Sequence, residues 1–191
     1  MKKIILASTS PRRKRLMKQL GIEFTIIPSK VIEKFNPRLK PRRQAEELSL
    51  QKAEAVAGNY PDAIIIGADT LVALEDEVLG KPKDEKEAKR MLKKLSGTTH
   101  KVITGITIID SSSRKTITKS VETSVTFRTL YPPEIASYIQ TDKPFDKAGS
   151  YAIQDKGALF IERIEGDYFG TVGLPLFLLA KELKKLGISI L

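Results

Sequence analysis

The stretch that most restricts how this chain can fold is residues 4–21, where a strand, a turn of hydroxyls and a helix start follow one another without a spacer. Ile4, Ile5, Leu6 and Ala7 form a short apolar run of the kind a buried strand uses. Ser8, Thr9 and Ser10 interrupt it, and Pro11 follows at a position suited to the first turn of a helix, with Ser10 placed to cap it. Leu16, Met17 and Leu20 supply the apolar stripe, and Gly21 ends it. Arg12 and Arg13 therefore fall in the first helical turn. That end of a helix already carries free N–H groups and a partial positive charge. Two arginines there are accounted for if an anion such as phosphate sits between them, and an ordinary capped helix with solvated arginines is the alternative.

At 191 residues the chain can bury a sizeable core as one domain, or as two tightly joined lobes. It has no apolar run long enough to span a bilayer and no signal-peptide pattern at its start, so a soluble cytoplasmic protein is expected. With no cysteine there is no disulfide or thiol chemistry. The single histidine, His100, excludes paired-histidine metal sites and is expected to be structural. The net charge of +10 points to an anionic partner, although many of the lysines lie along helices as solvated faces.

Further along, residues 23–28 read as a second short strand, and Glu33 stands in a polar loop ahead of a Pro- and Arg-rich connector, residues 36–43. A helix is expected over residues 43–57, with Ala45, Leu48 and Val56 on one stripe. Lys52, four residues from both Leu48 and Val56, lies inside that stripe and is expected to point its ammonium into a cleft. On this basis Lys52→Met should hold or slightly raise stability while lowering catalysis.

Ala63–Thr70 reads as a buried central strand, with Gly67 allowing close backbone approach and Asp69 and Thr70 at its end, where ligands bind in open α/β sheets. A carboxylate there, ahead of another apolar run at residues 71–74, requires a partner such as a lysine or a metal ion. Lys81 sits in a turn, before a helix opened by Asp84 and Glu87. Residues 102–109 and 116–130 suggest antiparallel strands, and residues 132–139 a short helix. The polar, Gly-interrupted segment 145–154 carries Asp146, Lys147 and Gln154. A hairpin about Gly166 (residues 158–164 and 168–172), a helix from Pro175 to Leu186 and a terminal strand, 188–191, complete the expectation.

The chain contains no GxxxxGK[ST] loop and no GxGxxG after a strand. Its basic groups (Arg12, Arg13, Lys52, Lys81) suit a polyphosphate, and its acids (Glu33, Asp69) suit a divalent cation or the activation of water. Six motifs in register, LASTSPRR (6–13), GADT (67–70), GKP (80–82), LSGTTHKVITG (95–105), DKAGSYAIQ (146–154) and VGLP (172–175), resemble the Maf family. The resemblance covers essentially the whole chain. It implies a single α/β unit over residues 1–191, a mixed β-sheet of two lobes around a central cleft, related to inosine triphosphate pyrophosphatases and often dimeric. It also implies a nucleoside triphosphate pyrophosphatase in which Asp69 is the catalytic acceptor and Asp69 with Glu33 holds a divalent cation, Mg²⁺ or Mn²⁺. Ser8, Arg13, Lys52 and Lys81 would line the phosphate site.

At Arg12, Thr70 and Gln154 the chain is similar to the members acting on dTTP and UTP. A glutamine amide matches the donor and acceptor of a thymine or uracil imide edge. Asp155 departs from the glycine that often follows this glutamine in the family. Two rival classes stand beside this reading. A nucleic-acid-binding module fits the charge, but seven Phe, five Tyr and no Trp give no stacking platform. A regulatory protein acting in septum formation through protein contacts is the other.

Overall fold

The computed structural model describes residues 2–191. Seven strands, β1 (Lys3–Leu6), β2 (Thr25–Ile26), β3 (Ala63–Leu74), β4 (Glu77–Leu79), β5 (Thr99–Asp110), β6 (Lys115–Phe127) and β7 (Ile161–Glu165), form one mixed sheet. Its order is β2-β1-β3-β5-β6-β7, with β4 paired to the far end of β3. β1 is parallel to both β2 and β3, whereas the β3-β5, β5-β6 and β6-β7 pairs are antiparallel. The helices are α1 (Pro11–Gln19), α2 (Pro41–Ala57), α3 (Glu85–Leu95), α4 (Pro132–Asp142), α5 (Tyr168–Val172) and α6 (Leu176–Lys184).

The period-two alternation of β3 divides the core. Ile65, Leu71 and Ala73 face α2, which buries Ala45, Leu48, Ala53 and Val56 against them. On the opposite face, Ile64, Ile66 and Ala68 pack with Leu16 and Met17 of α1 and with Leu179 and Leu183 of α6. Val72, further along that face, joins a second cluster with Leu92 and Leu95 of α3 and Ile135 and Ile139 of α4. Thr70 of β3 and Thr104 of β5 lie between the two clusters and pair across the ladder. This polar seam is where the cleft opens.

Three sequence expectations are corrected. Asp69 and Thr70 do not end a strand, because β3 runs unbroken from Ala63 to Leu74. The strand that ends there is the parallel neighbour β1, whose pairing with β3 stops at Leu6 and Ile66, so the ligand-side position survives for a different reason. No hairpin forms about Gly166. β7 pairs with β6, Gly166 (φ +132) turns the chain closely past Thr123, and Asp167 then caps α5 by accepting from the Gly170 N–H at 2.8 Å. Residues 188–191 are not a strand either. Gly187 (φ +79) closes α6, Ile188 N–H donates to Leu183 O, and Ile188 and Ile190 lie against the first core cluster.

Candidate active site

A cleft of about 310 Å³ opens over the seam, and Ser8, Arg12, Arg13, Glu33, Lys52, Asp69, Thr70, Lys81 and Gln154 all line it. The turn after β1 is built as its hydroxyls suggest. Ser10 caps α1 by accepting from Arg13 N–H (3.4 Å), and Ser10 N–H donates to Ser8 Oγ (3.2 Å).

Asp69 lies on the α2 face of β3 and is 7% exposed. Its position there depends on two glycines. A Cβ at Gly67 would come within 2.4 Å of Ser49 O, and one at Gly105, the residue paired with Asp69 on β5, within 2.2 Å of Ala45 O. With no side chain at either place, α2 settles directly onto the sheet and Lys52 reaches Asp69. The Lys52 ammonium pairs with Asp69 Oδ1 and, at 3.0 Å, with Glu33 Oε1. The loop carrying Glu33 is held to α2, since Lys34 N–H donates to Gln51 Oε1 (2.9 Å) and Asn36 N–H to Gln44 Oε1 (2.8 Å). The lysine read from the helical stripe as pointing into a cleft does so.

Arg13 is tied to the protein on three sides. Its Nε donates to Gly173 O (2.8 Å), Nη2 to Thr70 Oγ1 (3.1 Å) and Nη1 to Ser8 Oγ (3.5 Å). Burial pushes its pKa below the ordinary arginine value and the charge of Asp69 opposes that, so the group stays cationic. Thr104 donates to Gly170 O at 2.7 Å, which leaves Thr70 as the donor in the 2.9 Å contact between the two threonine hydroxyls. Arg13, Thr70, Thr104 and Gly170 thus form one donor chain, running from α1 across the seam to α5.

The opposite wall is the segment after α4. It packs in place because Gly149 (φ +65) lies against Val72 and donates to Gly80 O at 3.0 Å, which also sets Lys81 at the rim. From this wall Asp146 meets Arg12 across the cleft at 3.5 Å and accepts from Lys147 at 2.7 Å. The sequence does not single out Asp146 or Lys147 as site residues, since nothing local shows that the segment faces α1. His100 does not line the cleft. It is buried, its Nε2 is 2.7 Å from Tyr151 Oη, and burial pushes its pKa down to about 4.

No group of three or more His, Cys, Asp or Glu gathers among the described residues. The available donors are the two carboxylates on either side of the Lys52 ammonium. A Mg²⁺-type ion takes one or two carboxylates and completes its shell with phosphate oxygens and water, so the pair fits such an ion when a phosphorylated ligand is present. Fold and site together define an α/β protein with a cation-rich cleft for a phosphorylated ligand.

The family model described as Maf-like protein matches residues 3–186. A dTTP/UTP pyrophosphatase of Bacillus cereus is 50% identical over 190 residues, covering 100% of this chain and 93% of that one. Another of the same name from Bacillus anthracis is 49% identical, covering 100% and 98%. This chain belongs to the Maf family. Among solved structures, a HAM1 protein from Coxiella burnetii superimposes with a TM-score of 0.53 at 16% identity, covering 97% of this chain and 100% of that one, a likeness of fold. No helix is long and apolar enough to cross a membrane among the described residues.

Proposed function

We propose that this protein hydrolyses nucleoside triphosphates, dTTP and UTP among them, to the monophosphate and diphosphate, assisted by Mg²⁺ or Mn²⁺. The observation that carries this is the Asp69–Lys52–Glu33 bridge set in a cleft whose rim bears Arg12 and Lys81. The activity in the names of relatives half identical over the full chain supports the choice of reaction and base.

The chemistry breaks one phosphoanhydride bond. Water forms a bond to the α-phosphorus, the bond from that phosphorus to the bridging oxygen breaks, and diphosphate departs with its charge neutralised. Asp69 Oδ1 is taken by Lys52, which leaves Oδ2 to accept the proton of the attacking water. Glu33 and Asp69 are the residues that would hold the divalent cation, which would supply positive charge to the phosphate oxygens. Ser8 Oγ already accepts from Ser10 and Arg13, so its own proton is free to donate to a phosphate oxygen. Arg12 and Lys81 meet the chain of phosphates from the rim. Arg13 acts from behind as a fixed charge and Thr70 holds it there, its hydroxyl proton committed to Thr104. Gln154, half-buried in the cleft wall, carries the amide that pairs with the pyrimidine imide.

Chromatography of products from a panel of triphosphates tests the proposal. One diphosphate per monophosphate from dTTP or UTP is expected, and stepwise release of single phosphates would refute it.

A further inference from the structure

A nucleoside triphosphate brings about four negative charges into the cleft, and the cations the sequence nominates are not all available to meet them. Lys52 is shared between two carboxylates, and Arg13 commits three of its five N–H donors to Gly173, Thr70 and Ser8. Lys81 is unpaired among the described residues. Arg12 is held by a single, long contact to Asp146. Among the described residues one further cation lines the cleft, and that is Lys147.

Its side chain is only 17% exposed, whereas that of its partner Asp146 is 62% exposed. The lysine stem therefore lies against the protein at the mouth of the cleft, while the carboxylate stands in water. That carboxylate stands between two cations of opposite walls, Arg12 of α1 and Lys147 of the segment after α4. Both contacts are at a rim reached by water, where an ion pair contributes little and is easily exchanged. A phosphate group offers the same cations more charge and more acceptor oxygens than one carboxylate does.

We propose that Lys147 is a further phosphate-binding residue of this site, and that Asp146 occupies Arg12 and Lys147 until the polyphosphate displaces it. The proposal rests on the triphosphate substrate inferred above. The cations then act in two sets. Lys52 and Arg13 organise the floor, while Arg12, Lys81 and Lys147 grip the phosphates from both walls.

Calorimetric binding of inorganic triphosphate to the full chain with Mg²⁺ present tests it without relying on turnover. Lys147→Met, which keeps the stem, is expected to weaken binding about tenfold, the scale of one charge-assisted contact. Lys147→Arg, which keeps the charge, should bind within about threefold of wild type. Asp146→Asn removes the competing carboxylate and should tighten binding about two- to fivefold. Wild-type affinity in Lys147→Met would overturn the contact, and unchanged or weaker binding in Asp146→Asn would overturn the exchange. If dTTP and UTP are not hydrolysed but these affinities move as stated, the nucleotide reaction fails while the polyphosphate contact stands. If hydrolysis is intact and Lys147→Met binds like wild type, the contact fails alone.

Discussion

Lys52→Met separates a lysine that merely reaches a cleft from one that holds the site together electrostatically. Methionine keeps the stem that packs in the stripe with Leu48 and Val56, and removes only the ammonium. The helical pattern alone predicts unchanged or slightly higher stability, because a partly dehydrated cation is lost. The ion pairs reverse that sign. Without Lys52, Asp69 keeps a carboxylate in a place 7% exposed with no cation bonded to it and only the charge of Arg13 nearby, while Glu33, its side chain 45% exposed, can turn to water. Removing one partner of a fully buried pair costs about 3–5 kcal/mol. Here the cleft admits water and one of the two carboxylates is half-exposed, which brings the expected loss to about 1–3 kcal/mol. For a chain of this size that is a fall in Tm of roughly 2–12 °C. Scanning calorimetry in EDTA measures it. Millimolar Mg²⁺ should recover part of the loss in the variant, since a divalent cation can take the ammonium's place between the carboxylates. A Tm in EDTA equal to or above that of wild type would refute the electrostatic role.

Three other outcomes are expected. Asp69→Asn should lower turnover by about 100-fold or more, and activity within about threefold of wild type would remove Asp69 from the mechanism. Gly105→Ala places a Cβ 2.2 Å from Ala45 O and must push α2 off the sheet, costing about 1–3 kcal/mol by denaturant titration and lowering activity with it; a loss under about 0.5 kcal/mol would show that the close approach is not needed. His100, neutral and buried with a pKa of about 4, makes stability complete above pH 6.5 and lower as pH falls toward 4, because the unfolded chain takes up the proton first. The full loss is about 3 kcal/mol, and His100→Gln should flatten that acid limb; an unchanged slope would assign it to other groups.

What is legible in the sequence is whatever is encoded within one turn of chain. Ser10, Pro11 and Gly21 bracket α1 at positions where each residue has one evident use, and the stripe of α2 places Lys52 correctly. Gly67 announces a close approach, although only the fold shows that α2 is what approaches. Tyr168–Val172 reads as a strand because tyrosine, phenylalanine and valine favour strands, while the one contrary signal, Asp167 as a cap, is a single residue. The terminal run 188–191 has the composition of a strand, but Gly187 turns it onto the core instead. Lys147 cannot be found locally. Its importance depends on Arg12, 135 positions earlier in the chain, meeting Asp146 across the cleft.

The mixed character of the sheet also fixes when the site comes into being as the chain folds. β5 and β6 are joined by a turn of a few residues, and β3 pairs antiparallel with β5 between Ile64↔Asp110 and Ala73↔Lys101, closer in sequence than Lys3↔Ala63 of β1 and β3, so this half closes the shorter loops. β1 is different. It joins parallel to β3 only after a crossover containing α1, β2 and α2 has closed, and such closures are slow. Asp69 arrives with the early half, Ser8 to Arg13 with the late strand, and Lys52 within the crossover itself. A partly folded chain therefore has no cleft to offer a nucleotide. Nucleotide cannot guide the chain to its structure and can only hold it once it is complete, and recovery of activity should mark the last event of refolding.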